Sequence, residues 1–151
     1  MDALDILQAQ HAEILGLFDR ASALDAGDRW CALDILVDAI ELHLRVTPIC
    51  AARTRAVFAR GADDSGGFER ARNDLIALDP ADLQFQEELS RVREQVLRHC
   101  RYERERLFPA IERQLDRRSR LALANEMLAE MDRLERDERH IIAEPLGVGA
   151  G

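Results

Sequence analysis

His11, His43 and His99 each interrupt a line of apolar residues that repeats at three- and four-residue steps. The first line runs Leu4, Leu7, His11, Ile14, Phe18, Ala21; the second Leu33, Leu36, Ile40, His43, Thr47, Cys50; the third Leu89, Val92, Val96, His99, Glu103, Leu107. Burying an unpaired polar group costs a few kcal/mol, so polar residues are normally kept off such stripes. If a stripe covers three-sevenths of a helix, three independent placements would coincide by chance about one time in twelve. One stripe histidine alone is usually a hydrogen-bonded core residue, whereas three at similar depth suggest a shared purpose. Glu103 follows His99 by four residues, so both side chains leave one helix face and can reach a common point. Imidazoles and carboxylates on facing helices are how bundle cores hold iron or manganese. A solvated helical pair, or a buried histidine–glutamate hydrogen bond without metal, fits the same spacing. Cys100 points about 100° away from His99 around the helix and reads as a small packed hydrophobe. Trp30 and Tyr102 read as packing residues, and His140, in Asp137-Glu138-Arg139-His140, as a surface histidine.

These residues need helices to present them. Asp2 can cap a first helix with Asp5 in its first turn, and Ala26-Gly27-Asp28 ends that element. A second helix is expected from near Asp28 towards Phe58, with a kink or break at Pro48, whose ring removes an amide donor and crowds the Leu44 carbonyl. Gly61 to Gly67 reads as a loop, and a short helix over Phe68 to Leu78 should stop at Asp79-Pro80. The next helix is expected over Leu83 to Leu115, bent at Pro109. A last helix carries Leu121, Ala124, Met127, Met131 and Leu134 before a glycine-rich tail. The short connections favour antiparallel neighbours, which gives an all-α fold, an up-down antiparallel four-helix bundle with an additional C-terminal helix. Residues 1–145 form one domain in this reading, with 146–151 as a flexible tail.

Composition narrows the function. With 151 residues, 47% apolar and 5% aromatic, the chain can bury one core without staples and favours packed helices over sheets. Acidic residues outnumber basic ones 29 to 21, a net charge of −8, and a surface of that sign repels phosphate backbones, so nucleic acid is not an expected partner. No run reaches the roughly 20 apolar residues of a membrane span, so no membrane partner is expected. The start, Met1-Asp2-Ala3-Leu4-Asp5, is acidic where a secretory signal would be basic. Cys31, Cys50 and Cys100 are odd in number and form no C-x-x-C, which suits reduced, buried thiols and a cytoplasmic location.

Leu78-Asp79-Pro80, followed by Glu88-Leu89, Val92, Val96, His99, Glu103 and Glu105-x-Leu107-Phe108-Pro109, resembles the second half of hemerythrin-like (HHE cation-binding) domains. Asp5-Ile6-Leu7 with His11, Ile14 and Phe18 is similar to that family's first helix, and Leu36-Val37 with His43 to the approach to its second-helix histidine. The resemblance implies a hemerythrin-like bundle around a non-haem iron site, with His11, His43, His99 and Glu103 at ligand positions. It also marks departures. His43-Leu44-Arg45-Val46-Thr47 carries a hydroxyl where the family has a bridging glutamate. The third-helix histidine should fall near Ser65, with Glu69 one turn beyond as a candidate substitute. Three histidines and one carboxylate suit one divalent ion with open positions better than two irons, which need about ten ligand atoms.

The expectation is therefore a metal-binding protein for iron or oxygen handling or sensing, with dioxygen or nitric oxide as small ligands and a homodimer as the candidate assembly. The cofactor would be iron, mononuclear rather than diiron, or none. The rival reading is a metal-free bundle of the same kind serving as an interaction or dimerisation module. An enzyme ranks last, since no nucleophile–base constellation is visible.

Overall fold

The computed structural model describes residues 1–54 and 67–147, with side chains through Arg139. The described residues are helical, joined by short turns, and hold no strand. Helix α1 spans Ala3–Ala23, α2 Ala26–Arg53, α3 Gly67–Ala77 and α4 Phe85–Tyr102. A π-helical turn, Glu103–Leu107, leads into α5, Phe108–Gln114, and α6 covers Arg117–Gly147.

Helix α1 starts where the sequence places it. The Asp2 carboxylate accepts from the amides of Leu4 and Asp5, at 2.9 and 3.3 Å, and the Asp5 carboxylate accepts from the Asp2 amide at 2.8 Å. This reciprocal cap satisfies amides that the first turn leaves without carbonyl partners. Helix α2 runs on through Pro48 without a break. The ring removes one amide donor, but Ile40, His43, Val46 and Cys50 are buried on both sides of it and hold the segment in place. The expected end of α2 near Phe58 and most of the glycine loop lie outside the described residues.

The expected helix over Leu83–Leu115 is three pieces. Leu83 lies in the preceding turn, fully exposed, and α4 begins at Phe85. The interruption comes before Pro109. There the Phe108 amide donates to the Glu103 carbonyl, five residues back, which closes the wide turn. Pro109 lacks an amide and would crowd the carbonyl four residues before it in a regular α-helix, so the strain is released upstream as a π turn. Helix α6 continues to Gly147, two residues into the expected tail; residues 148–151 lie outside the described residues.

Helix α1 packs on α2, α2 on α3, α3 on α4, and α4 back on α1, while α6 lies across α1 and α2. Two hydrophobic clusters fill the interior. One gathers Ile14, Phe18, Leu33, Leu36, Ile40, Phe68, Leu75, Leu89, Val92 and Val96. The other gathers Leu4, Leu7, Val46, Cys50, Leu107, Phe108, Ile111, Leu123 and Met127. Each fully buried side chain of this size stabilises the fold by roughly 1.5–3 kcal/mol. The order in which each helix visits the clusters gives its direction. Helix α1 passes from the second cluster to the first and α2 from the first to the second, while α4 lies along the first and its continuation through the π turn enters the second at Leu107, so both α2 and α4 run against α1.

Three packing expectations are corrected. Trp30 is 56% exposed, because it stands in the first turns of α2 beyond the core layer of Ala32 and Leu33. Cys50 and Cys100 are buried as expected, but Cys31 is exposed, being two residues, about 200°, around α2 from Leu33. Likewise Leu121 is 40% exposed, and α6 packs instead through Leu123, Ala124 and Met127.

Candidate metal centre

The two clusters are separated by a polar layer. On α1, His11 falls between Leu7 and Ile14; on α2, His43 falls between Ile40 and Val46; beyond Val96 come His99 and Glu103, before Leu107. The helical repeat that keeps each stripe inward therefore brings these four side chains to one level, and all are buried.

Glu103 is the hub. His11 Nε2–H donates to its Oε2 at 2.7 Å. His43 Nε2 stands 3.2 Å from both carboxylate oxygens, and His99 Nε2–H donates to Oε1 at 3.2 Å. The π turn begins at Glu103, and this residue is buried while Arg104, Glu105 and Arg106 are exposed. Burial alone would push the Glu103 carboxyl up. Hydrogen bonds from His11, His43 and His99, with the charge of His43, outweigh it and hold the carboxyl well below the usual carboxylate range.

His43 is held at both nitrogens. Its Nδ1–H donates to Gln10 Oε1 at 2.9 Å, so its Nε2 faces two carboxylate oxygens, and a proton or a cation must lie between them. Ligating histidines are oriented in this way, with the second nitrogen donating to an oxygen. His99 differs: its Nδ1 is buried without a hydrogen-bond partner among the described residues.

One donor atom each from His11, His43 and Glu103 lies within 4.8 Å of the others. Nitrogen and oxygen ligands about 2.1 Å from an ion, at angles of 90–110°, stand roughly 3.0–3.4 Å apart. The 3.2 Å contact already falls in that range and the 2.7 Å contact needs to open by only a few tenths of an ångström, so these residues fit a single ion. His99 stands beside this triad, joined to it through Glu103.

Phenyl rings wall the group. The Phe68 ring centre is 4.5 Å from those of His43 and His99 and 6.1 Å from that of His11, while Phe108 stacks on His11 at 5.6 Å. Glu69, the candidate substitute ligand, is exposed on α3, because the first turn of that helix faces the site with Gly67 and Phe68 instead. Ser65 lies outside the described residues. Thr47 donates its hydroxyl to the His43 carbonyl at 2.7 Å and is thus engaged by its own helix. Burial, then the negative charge of Glu103, pushes the Cys50 and Cys100 thiols up to about 12, which keeps them protonated. The side chain of His140 lies outside those described.

Reading by residue type overlooked Gln10, Gly67, Phe68 and Phe108. Gln10 carried a signal, since it follows Leu7 by three residues and lies on the inward side of α1. The others reach the site through helix packing alone.

No protein-family model matches the chain, and neither the curated proteins nor the solved structures contain a match.

Proposed function

We propose that this chain is a hemerythrin-like four-helix bundle with an added C-terminal helix that binds one divalent metal ion, iron by its donor set, for iron or oxygen handling or sensing. The observation that carries the reading is the convergence of His11, His43 and Glu103, from three separate segments, on one buried point between two apolar clusters. Two imidazoles and one carboxylate with open positions suit non-haem ferrous iron. When bound, such an ion supplies one-electron chemistry and affinity for small diatomic ligands such as dioxygen or nitric oxide. The protein's own residues hold and shield it. Gln10 fixes the ring of His43, His11 and His43 offer Nε2, and Phe68 and Phe108 keep bulk water from the imidazole faces. One ion follows from the supply of donors: among the described residues Glu103 is the one carboxylate in the layer, and Thr47 and Glu69 both turn away.

A second reading has an observation in its favour. Glu103 already receives three imidazoles, so its carboxylate is satisfied without metal, and the layer could persist in a bundle serving as an interaction or dimerisation module. Metal content after anaerobic reconstitution with ferrous ion separates the two. About one iron per chain, lost in His43→Ala, supports the proposal. Two irons per chain would restore a dinuclear site, and no retained metal would leave the metal-free module.

A further inference from the structure

The three histidines are not equivalent. His11 and His43 face each other with ring centres 5.0 Å apart, while the Phe68 ring stands 4.5 Å from both His43 and His99. Phe68 is 1% exposed and meets His99 edge-on, with the ring planes 84° apart. From the adjoining residue the backbone closes in as well. A Cβ built on Gly67 would lie 2.8 Å from His99 Nδ1 and 3.2 Å from its Cβ. The first turn of α3 therefore packs both the Gly67 backbone and the Phe68 ring against His99.

A ring held this way cannot swing towards His11 and His43, and rotamer changes in a close-packed interior need a void that Phe68 fills. What His99 can reach is Glu103 Oε1, at 3.2 Å, one helical turn along its own chain. We propose that Phe68 keeps His99 out of the metal's coordination sphere, so that His99 is a positioning residue that orients the Glu103 carboxylate for an ion held by His11, His43 and Glu103. This rests on the metal-binding reading above and gives His99, a ligand position by sequence resemblance, a different role. The carboxylate then presents Oε2 to the side of His11 while His99 restrains Oε1, which fixes its rotation.

The test is Co(II) affinity of the full-length protein, followed by the visible d–d spectrum under anaerobic conditions. His43→Ala should abolish uptake. His99→Ala should weaken it about 10–100-fold, as loss of an orienting partner does. His99→Gln keeps an amide donor for Glu103 and should bind within about threefold of wild type, with an unchanged spectrum. Phe68→Ala should strengthen binding and alter the spectrum, and adding His99→Gln should reverse both changes. Should Phe68→Ala fail to fold, Phe68→Leu opens part of the same space with a smaller loss of packing. If His99→Gln and His99→Ala both abolish uptake as His43→Ala does, His99 is a direct ligand and this inference is overturned while the metal reading stands. If wild type takes up no Co(II), the metal reading fails, and this one with it.

Discussion

Glu103→Gln in the chelator-treated protein tests whether the buried carboxylate holds the polar layer together by its charge. Glutamine keeps the shape, but its single amide oxygen accepts only neutral-acceptor hydrogen bonds and its NH2 replaces one of the two carboxylate acceptors, so all three imidazole contacts are weakened or lost. A hydrogen bond to a charged group is worth about 1.5–3 kcal/mol and a neutral one about 0.5–1.5, so the three together lose roughly 3 kcal/mol. Glutamine recovers part of the desolvation penalty of a buried charge. That recovery does not win, because in the folded protein the carboxyl sits well below its ordinary 4.5 despite burial, which means the surroundings favour the ionised form over the neutral one. A net loss of about 2–3 kcal/mol at pH 7 is expected, seen as a fall in Tm of roughly 5–10 °C. The pH dependence gives the sign. A folded pKa below the unfolded value contributes stability that is fully present above about 4.5 and drains away as pH falls through the folded value. Urea unfolding followed by circular dichroism should therefore show the two proteins converging as pH falls below that point. Equal stability at pH 7, or a gap that persists unchanged in acid, would refute the reasoning.

Three further outcomes follow from single contacts. Gln10→Leu removes the acceptor for His43 Nδ1 and leaves a buried donor unpaired, so stability should fall by about 1–3 kcal/mol in urea melts, and iron retention should weaken about 10–100-fold. Gly67→Ala forces a methyl against His99, and overpacking of this kind should destabilise the metal-free protein by about 1–3 kcal/mol in thermal unfolding. Asp2→Ala removes the α1 cap and the Arg120 partner, 3.0 Å away, and should lower Tm by roughly 2–4 °C, matching a loss of about 1 kcal/mol.

The helices and their inward faces were legible in the sequence because they rest on local periodicity. Leu4 to Ala21, Leu33 to Cys50 and Leu89 to Leu107 repeat at the helical step, and a residue on such a stripe must face inward for its neighbours to be buried. The histidines and Glu103 inherit that placement, so their meeting could be anticipated from spacing alone. The cap at Asp2 is likewise a matter of three consecutive residues.

What spacing could not supply is anything fixed by contact between helices. Whether the chain bends at Pro48 or near Pro109 depends on which side of each proline is braced: α2 is packed on both sides and continues, while the strain at Pro109 is released as a π turn that starts at Glu103. Nor does the stripe distinguish His43 from His99, since both are buried histidines at equivalent steps. They differ because Gln10 of α1 meets one ring, and Gly67 and Phe68 of α3 meet the other. Periodicity reports which face of a helix leaves water, whereas the identity of the neighbour across the gap, and so the role of each ring, is set only when the helices close on one another.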